Sequence, residues 1–525
     1  MQEYKWEFAH NICTFACSFF LRKDICYAAV GRYGPILLES LFKRLLDSDR
    51  ICNNFFLCKT DIEYETSEDY VKRILKNKPK SIKPKILDSN EFKFIQLTDV
   101  HLQLDYKEGA VSNCGIPLCC RNTPQELGWI HGKTNEGKPL KISGKYGSTG
   151  NCDGNIETLK SFAKEAKKLN PDFILFTGDN SAHNVWEVGQ NEISHATEVI
   201  INAIENEIGN EIPIYPAIGN HEKAPPDVAI GSETILYHGL SKPFRKYLTK
   251  EAYDSFSKYG YYTMLHKNTN LRIISLNCII CDSMNFNLIS ETMEVALMFQ
   301  WLEKVLNDAE KNNEVIYLLD HIPIRTSQHS EDCTKRLKAL IDRYQNIIRG
   351  FISAHTHRDE INIVHEYYNK DKIITINYIS PGLTTYSEFW PSYRLYISDE
   401  KTKYIKNYKQ YRLNLDESNR IRKPVWYESY DAAKFYNVTD MTDYEGIAKA
   451  NIDENYGRHF YTDNPELKEL YSSKQEIENL KCFFHTDNFL DMLKCKNVKH
   501  FIEHYTNYVF DHFFFARWLK LYSLI

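Results

Sequence analysis

The chain has 525 residues, of which 43% are hydrophobic and 26% charged, with a formal net charge of −5. That length exceeds one compact core and implies two or three domains of soluble, globular composition. The mild acidity, with no block of basic residues, gives nucleic acid no electrostatic foothold and excludes it as an expected partner.

The 14 cysteines fall in clusters: Cys13 to Cys58, Cys114 to Cys152, Cys278 to Cys333, then Cys482 and Cys495. No pair of CxxC pairs occurs, so a cysteine-rich structural zinc site is not expected. Disulfides in an oxidising compartment account better for the clusters. Residues 1–10 carry Glu3, Lys5 and Glu7 without an apolar core, so they do not read as a signal peptide. Two readings stay open, a truncated or mis-called start and a cytosolic chain with free thiols. The clusters favour the first, with secretion or a lysosomal or vacuolar lumen as the expected destination.

In chain order, residues 1–75 read as helical, because Ile36, Leu37, Leu38, Leu41, Leu45 and Leu46 recur at helical spacing. Residues 76–90, with Pro79 and Pro84 among lysines, read as a linker. From residue 91 to about 400, short β-rich runs (92–97, 173–176, 212–218, 271–276, 315–319, 351–353 and 373–379) alternate with helical stretches such as 154–170. This pattern predicts an α/β class domain, a sheet layered by helices, with ligands at the carboxyl ends of the strands. Beyond residue 400 the strand signal fades, and 401–525 reads as mainly helical. The apolar tail 513–525 is broken by Arg517 and Lys520 and is too short to span a bilayer, so it is expected to pack as a helix on the body.

Five short polar blocks each follow an apolar run: Asp99-Val100-His101, Gly178-Asp179-Asn180, Gly219-Asn220-His221-Glu222, His321, and His355-Thr356-His357. Asp, Asn and His are donors suited to zinc, manganese or iron. In a strand, residues i and i+2 point the same way, so Asp-x-His or His-x-His at a strand end can aim both side chains at one ion. A carboxylate such as Asp179 can bridge two ions, and two ions roughly 3.5–4 Å apart can clamp a phosphoryl group. Singly, each block is ordinary, since GlyAsp and GlyAsn are usual turn dipeptides. Their joint occurrence, in order and at strand ends, points to a metal site.

This ordered set resembles the metallophosphoesterase (calcineurin-like) superfamily. Pro117-Leu118-Cys119-Cys120-Arg121, Gly178-Asp179 followed by Ala182-His183 and Val185-Trp186, and later Thr384-Thr385-Tyr386 resemble its acid sphingomyelinase branch. The resemblance covers residues 90–400 and implies a layered α/β sandwich. It further implies one metal on Asp99, His101, Asp179 and His357 and a second on Asp179, Asn220, His321 and His355. The ions would be two divalent cations, zinc by family habit, with a bridging hydroxide attacking phosphorus. His221 and His183 would stabilise charge and protonate the leaving oxygen, and Tyr386 would touch substrate. Ala354, Asn184, Asp320 and Ile324 depart from the family pattern without touching a proposed ligand.

The resemblance also implies an N-terminal saposin-like module, here truncated because its opening CxxC is missing; an ordinary helical extension is the alternative. It implies the pairs Cys114–Cys119, Cys120–Cys152, Cys281–Cys333 and Cys482–Cys495, and leaves Cys52 and Cys58 in doubt. Asn437-Val438-Thr439 is a glycosylation acceptor if the chain is secreted. The expected function is hydrolysis of sphingomyelin, a phosphodiester lipid, at a peripheral membrane surface by a monomer. Soluble phosphodiesters such as nucleotides are the alternative substrates, and a non-catalytic lipid-binding relic the alternative class.

Overall fold

The computed structural model describes residues 2–19, 21–45, 65–87, 90–121, 140–228, 236–289 and 293–496. Among the described residues twelve strands are formed: β1 Glu91–Leu97, β2 Phe173–Phe176, β3 Ile214–Pro216, β4 Tyr262–Leu265, β5 Leu271–Ser275, β6 Val315–Leu319, β7 Ile348–Ser353, β8 Glu360–His365, β9 Ile373–Ile379, β10 Ser392–Asp399, β11 Ile405–Leu413 and β12 Trp426–Asp431. They build two six-stranded sheets, ordered β12-β11-β10-β1-β2-β3 and β4-β5-β6-β7-β9-β8. β1, β2 and β3 run parallel, as do β5, β6, β7 and β9.

The apolar runs behave as strands buried on both faces, which is what parallel strands covered by helices require. All of β6 is buried. Tyr317 and Leu319 face the core between the sheets, with Phe94, Phe173 and Tyr396. Ile316 and Leu318 face the other way, under the helices Met293–Lys311 and Glu331–Arg343. The helix Ile156–Leu169 connects β1 to β2 and buries Leu159, Phe162, Ala163 and Ala166. Asn155 caps its start by accepting from Glu157 N and Thr158 N, and Asn170 ends it in the left-handed region.

The expected α/β class holds, but the boundary at residue 400 cuts through the first sheet, since β11 and β12 lie beyond it. The signal fades there because the inward face of β11 carries Gln410 and Arg412, so no apolar alternation appears. Arg412 and Arg394 are buried because both pair with Asp359, and Arg412 also pairs with Asp463. From β12 onward the described chain is mainly helical.

At the other end, the helices Gln2–Cys17 and Lys23–Leu45 are joined by a Cys17–Cys26 disulfide that the sequence reading did not foresee. Cys13 and Cys278 are the free cysteines among the described residues. Cys52, Cys58 and the tail 513–525 lie outside the described residues. The second of these helices packs on the α/β body: Ile25 and Ala29 meet Ala182, Val185 and Trp186, while Tyr33 meets Val228 and Phe286. The helix Ser67–Leu75, placed with the N-terminal region by sequence, buries Tyr70, Val71 and Ile74 in the outer layer of the second sheet. The four cysteine pairs implied by the resemblance are all formed.

Candidate metal centre

The five polar blocks sit just past the carboxyl ends of β1, β2, β3, β6 and β7. Three of these strands belong to the first sheet and two to the second, so the site lies where the two sheets present their carboxyl edges together. The ligand side chains are not aimed by strand alternation, contrary to what their spacing predicts. Asp99, His101, Asp179, His355 and His357 have φ of 46°, 39°, 60°, 74° and 57°. All five are left-handed, a conformation that costs a residue with a Cβ about 1–2 kcal/mol and that Asp, Asn and His tolerate best. Tight turns, not strand pleating, aim these side chains. Gly178 makes one turn possible: with φ of 91°, a Cβ there would lie 2.4 Å from Gly219 N. Ala354 is not among the left-handed residues, and its methyl is accommodated in the core.

All seven predicted ligands converge. Ligand atoms of Asp99, His101, Asp179 and His357 lie within 4.8 Å of one another, and so do those of Asp179, His321 and His355. Asp179 Oδ2 is 3.1 Å from His321 Nε2 and 3.4 Å from His101 Nε2. His357 Nε2 is 3.4 Å from Asp99 Oδ1. Asn220 Oδ1 joins the second group, 3.0 Å from His355 Nδ1.

Proton positions show what this arrangement fits. His101 Nδ1 lies 2.7 Å from the Ser181 carbonyl and His321 Nδ1 2.6 Å from the Thr177 carbonyl. A carbonyl only accepts, so both Nδ1 atoms carry hydrogen; His101, held down by burial, presents a lone pair at Nε2, and His321 does so once a cation replaces the proton that Asp179 and Asp99 otherwise hold there. Those lone pairs face Asp179 Oδ2, another acceptor, and His101 Nε2 also faces His357 Nε2 at 3.2 Å. Asp99 Oδ1 and His321 Nε2 are buried without a hydrogen-bond partner. Converging lone pairs of this kind fit divalent cations, and the neutral-imidazole, carboxylate and amide set suits borderline metals.

Electrostatics agree. Burial pushes the Asp179 carboxyl up, but the imidazoles of His321 and His221 outweigh it and hold it well below the usual range. Burial lowers His321, yet Asp179 and Asp99 more than reverse that and raise it to about 10. The carboxylates therefore demand a positive charge at this spot. His355 is pushed down to about 3, by burial and then by His321. Burial, reinforced by His221 and His357, drives His183 well below its ordinary value. Burial likewise lowers His101 and His221.

His183 and His221 lie beside the metal-ligand group, their ring centroids 4.7 Å apart. Tyr386 stacks flat on His183 at 3.9 Å, and its hydroxyl donates to the Pro117 carbonyl at 2.9 Å. Four supporting residues were missed as functional. Asp153 accepts from His183 Nδ1 at 2.8 Å and from His183 N at 2.6 Å. Glu222 accepts from the backbone N–H groups of Gly219, Asp179 and Asn180, tying two ligand turns together. Asp227 bonds Asn220, and Gln328 bonds His355. Asp153 stands before glycine and reads as a turn residue, while Gln328 has no local signal at all.

A model of the calcineurin-like phosphoesterase family matches residues 92–359, a span holding every proposed ligand and both flanking histidines. The chain is 25% identical over 522 residues to sphingomyelin phosphodiesterase B of Dictyostelium discoideum, covering 95% of this chain and 79% of the relative. To sphingomyelin phosphodiesterase A of the same organism it is 29% identical over 449 residues, covering 80% and 74%. To the cyclic GMP-AMP phosphodiesterase SMPDL3A of Homo sapiens it is 26% identical over 370 residues, covering 66% and 76%.

Proposed function

The chain belongs to the calcineurin-like phosphoesterase family, and on that premise we propose that it is a phosphodiesterase that cleaves sphingomyelin to ceramide and phosphocholine. The observation that carries this reading is the pair of ligand groups sharing one carboxylate, Asp179. Asp99, His101, Asp179 and His357 would hold one divalent ion, and Asp179, Asn220, His321 and His355 the other. When bound, such a pair supplies Lewis acidity to the phosphoryl oxygens and lowers the pKa of water. Zinc is the metal we propose, from the family resemblance, the donor set itself suiting zinc, manganese and iron alike.

The protein's own residues then bind and protonate. His183 and His221 stand beside the ligand group, next to His101, and would face a phosphodiester held there. Burial keeps both rings neutral, and an arriving phosphate anion reverses that by favouring the charged imidazolium. Asp153, bonded to His183 Nδ1, fixes the ring so that Nε2 faces the reaction and can deliver a proton to the leaving oxygen. Tyr386, proposed as a substrate contact, also backs His183, its ring stacked on the imidazole and its hydroxyl donating to the Pro117 carbonyl.

Sphingomyelin is favoured because the two Dictyostelium relatives named for that activity match most of both chains. The N-terminal region also exposes Phe15 and Phe42 on its two helices and Phe19 just past the first, with 65%, 57% and 71% of their surface accessible, apolar groups suited to a lipid surface. Five disulfides among the described residues fit a secreted or lysosomal protein. A soluble phosphodiester is the second reading, favoured by the match to the cyclic GMP-AMP phosphodiesterase. Phosphocholine release from micellar sphingomyelin, assayed beside cyclic GMP-AMP, separates the two; turnover of the nucleotide alone refutes the lipid assignment.

A further inference from the structure

Both ring nitrogens of His355 face amide oxygens. Nδ1 lies 3.0 Å from Asn220 Oδ1, and Nε2 lies 2.5 Å from Gln328 Oε1. A neutral imidazole has a single N–H, so it can donate to only one of them. The direction of the Asn220 amide is set from outside. Its Nδ2 donates to Asp227 Oδ1 at 2.8 Å, which turns Oδ1 towards His355.

Two arrangements remain. With hydrogen on Nδ1, His355 donates to Asn220, and that contact uses the two atoms that should face a cation. With hydrogen on Nε2, His355 donates to Gln328, and Nδ1 joins Asn220 Oδ1 in aiming lone pairs at one point beside Asp179 and His321. Only the second arrangement can hold an ion, and Gln328 is the acceptor that selects it. The loop carrying Gln328 is itself held. Ser283 N donates to the Gln328 carbonyl at 2.7 Å, Ser283 Oγ donates to the Ser327 carbonyl at 2.9 Å, and Cys281–Cys333 links the two flanking segments.

We propose that Gln328 and Asp227 are positioning residues for one of the two metal positions, Gln328 choosing the His355 tautomer and Asp227 the Asn220 amide direction. Neither is hydrogen-bonded to Asp99, His101 or His357, so their effect should fall mainly on the ion held by Asp179, Asn220, His321 and His355. Partners of this kind typically change metal affinity 10–100-fold. This inference rests on the two-ion reading above.

The test is titration of the metal-free, oxidised full chain with Co2+, following uptake by absorption spectroscopy and bound metal by elemental analysis. Wild type is expected to take up two ions. Gln328→Leu should lose about 10–100-fold in affinity for one ion and hold the other to within about threefold. Gln328→Glu, which keeps an acceptor oxygen, should bind both nearly as wild type. Asp227→Gly tolerates the left-handed backbone there (φ of 66°) and should weaken the same single ion, so it decides the matter if Gln328→Leu does not fold. Two ions bound with wild-type affinity in either folded variant, or equal weakening of both ions, would overturn the proposal. No uptake by wild type would instead overturn the two-ion reading.

Discussion

Replacing Asp179 by Asn probes the centre most directly. The variant keeps the backbone, because Asp179 has φ of 60° and Asn accepts that region as readily as Asp. It also keeps an oxygen for the His221 N–H, which Asp179 Oδ1 accepts at 2.9 Å. What changes is Oδ2, placed 3.1 Å from His321 Nε2 and 3.4 Å from His101 Nε2. An amide NH2 there donates to those lone pairs and satisfies the pocket without a cation. A negative charge shared by both ion positions is lost at the same time. Unit charges about 4 Å apart in partly screened surroundings interact by about 4 kcal/mol, equivalent to roughly 10³-fold. We expect phosphocholine release to fall by at least roughly 10³-fold, and metal content to fall below two ions per chain. The metal-free variant should melt below metal-free wild type at neutral pH, because, burial notwithstanding, the ionised Asp179 carboxylate is held well below its usual range by His321 and His221 and that stabilisation is lost with it. Turnover within about tenfold of wild type, with two ions retained, would refute the shared-carboxylate reasoning.

Chelation of wild type should lower the melting temperature reversibly, because ions present at about 1,000 times their dissociation constant contribute about 4 kcal/mol; calorimetry with and without EDTA checks this. Asp359→Asn weakens a carboxylate held between the buried guanidinium groups of Arg394 and Arg412, and should cost about 3–5 kcal/mol in denaturant unfolding. Replacing Cys281 and Cys333 by Ser opens a loop of 52 residues and should cost about 4 kcal/mol, read from thermal or denaturant midpoints. His266 is held down to about 4, chiefly by burial and then by Lys403. Its folded pKa lies below the unfolded one, so the unfolded chain takes up the proton first. Stability is therefore full above about pH 6.5 and falls towards pH 4, by at most about 3 kcal/mol. The gap between denaturant midpoints at pH 7 and pH 4.5 should shrink in His266→Gln.

The parallel strands were the most legible part of the fold. β6 is a continuous apolar run, and a strand covered on both faces needs nothing else. β4, β8, β10, β11 and β12 were not found, and β11 shows why. Its burial of Gln410 and Arg412 makes sense only when Asp359 and Asp463 arrive from distant parts of the chain. The same contrast runs through the site. Asp99, Asp179 and Asn220 announce themselves by following apolar runs. Asp153 and Gln328 are defined by what they touch, His183 and His355, and no local pattern marks such contacts.

Sequence alone settled which donor atoms are available and that they stand at strand ends, since both facts depend on residue type and near-neighbour pattern. Only the tertiary structure brought the two sheets edge to edge, bent five ligand residues into left-handed turns, and placed each imidazole's hydrogen by the carbonyl or amide that faces it. Lone-pair direction depends on partners far away in the chain, and folding is what puts those partners in reach.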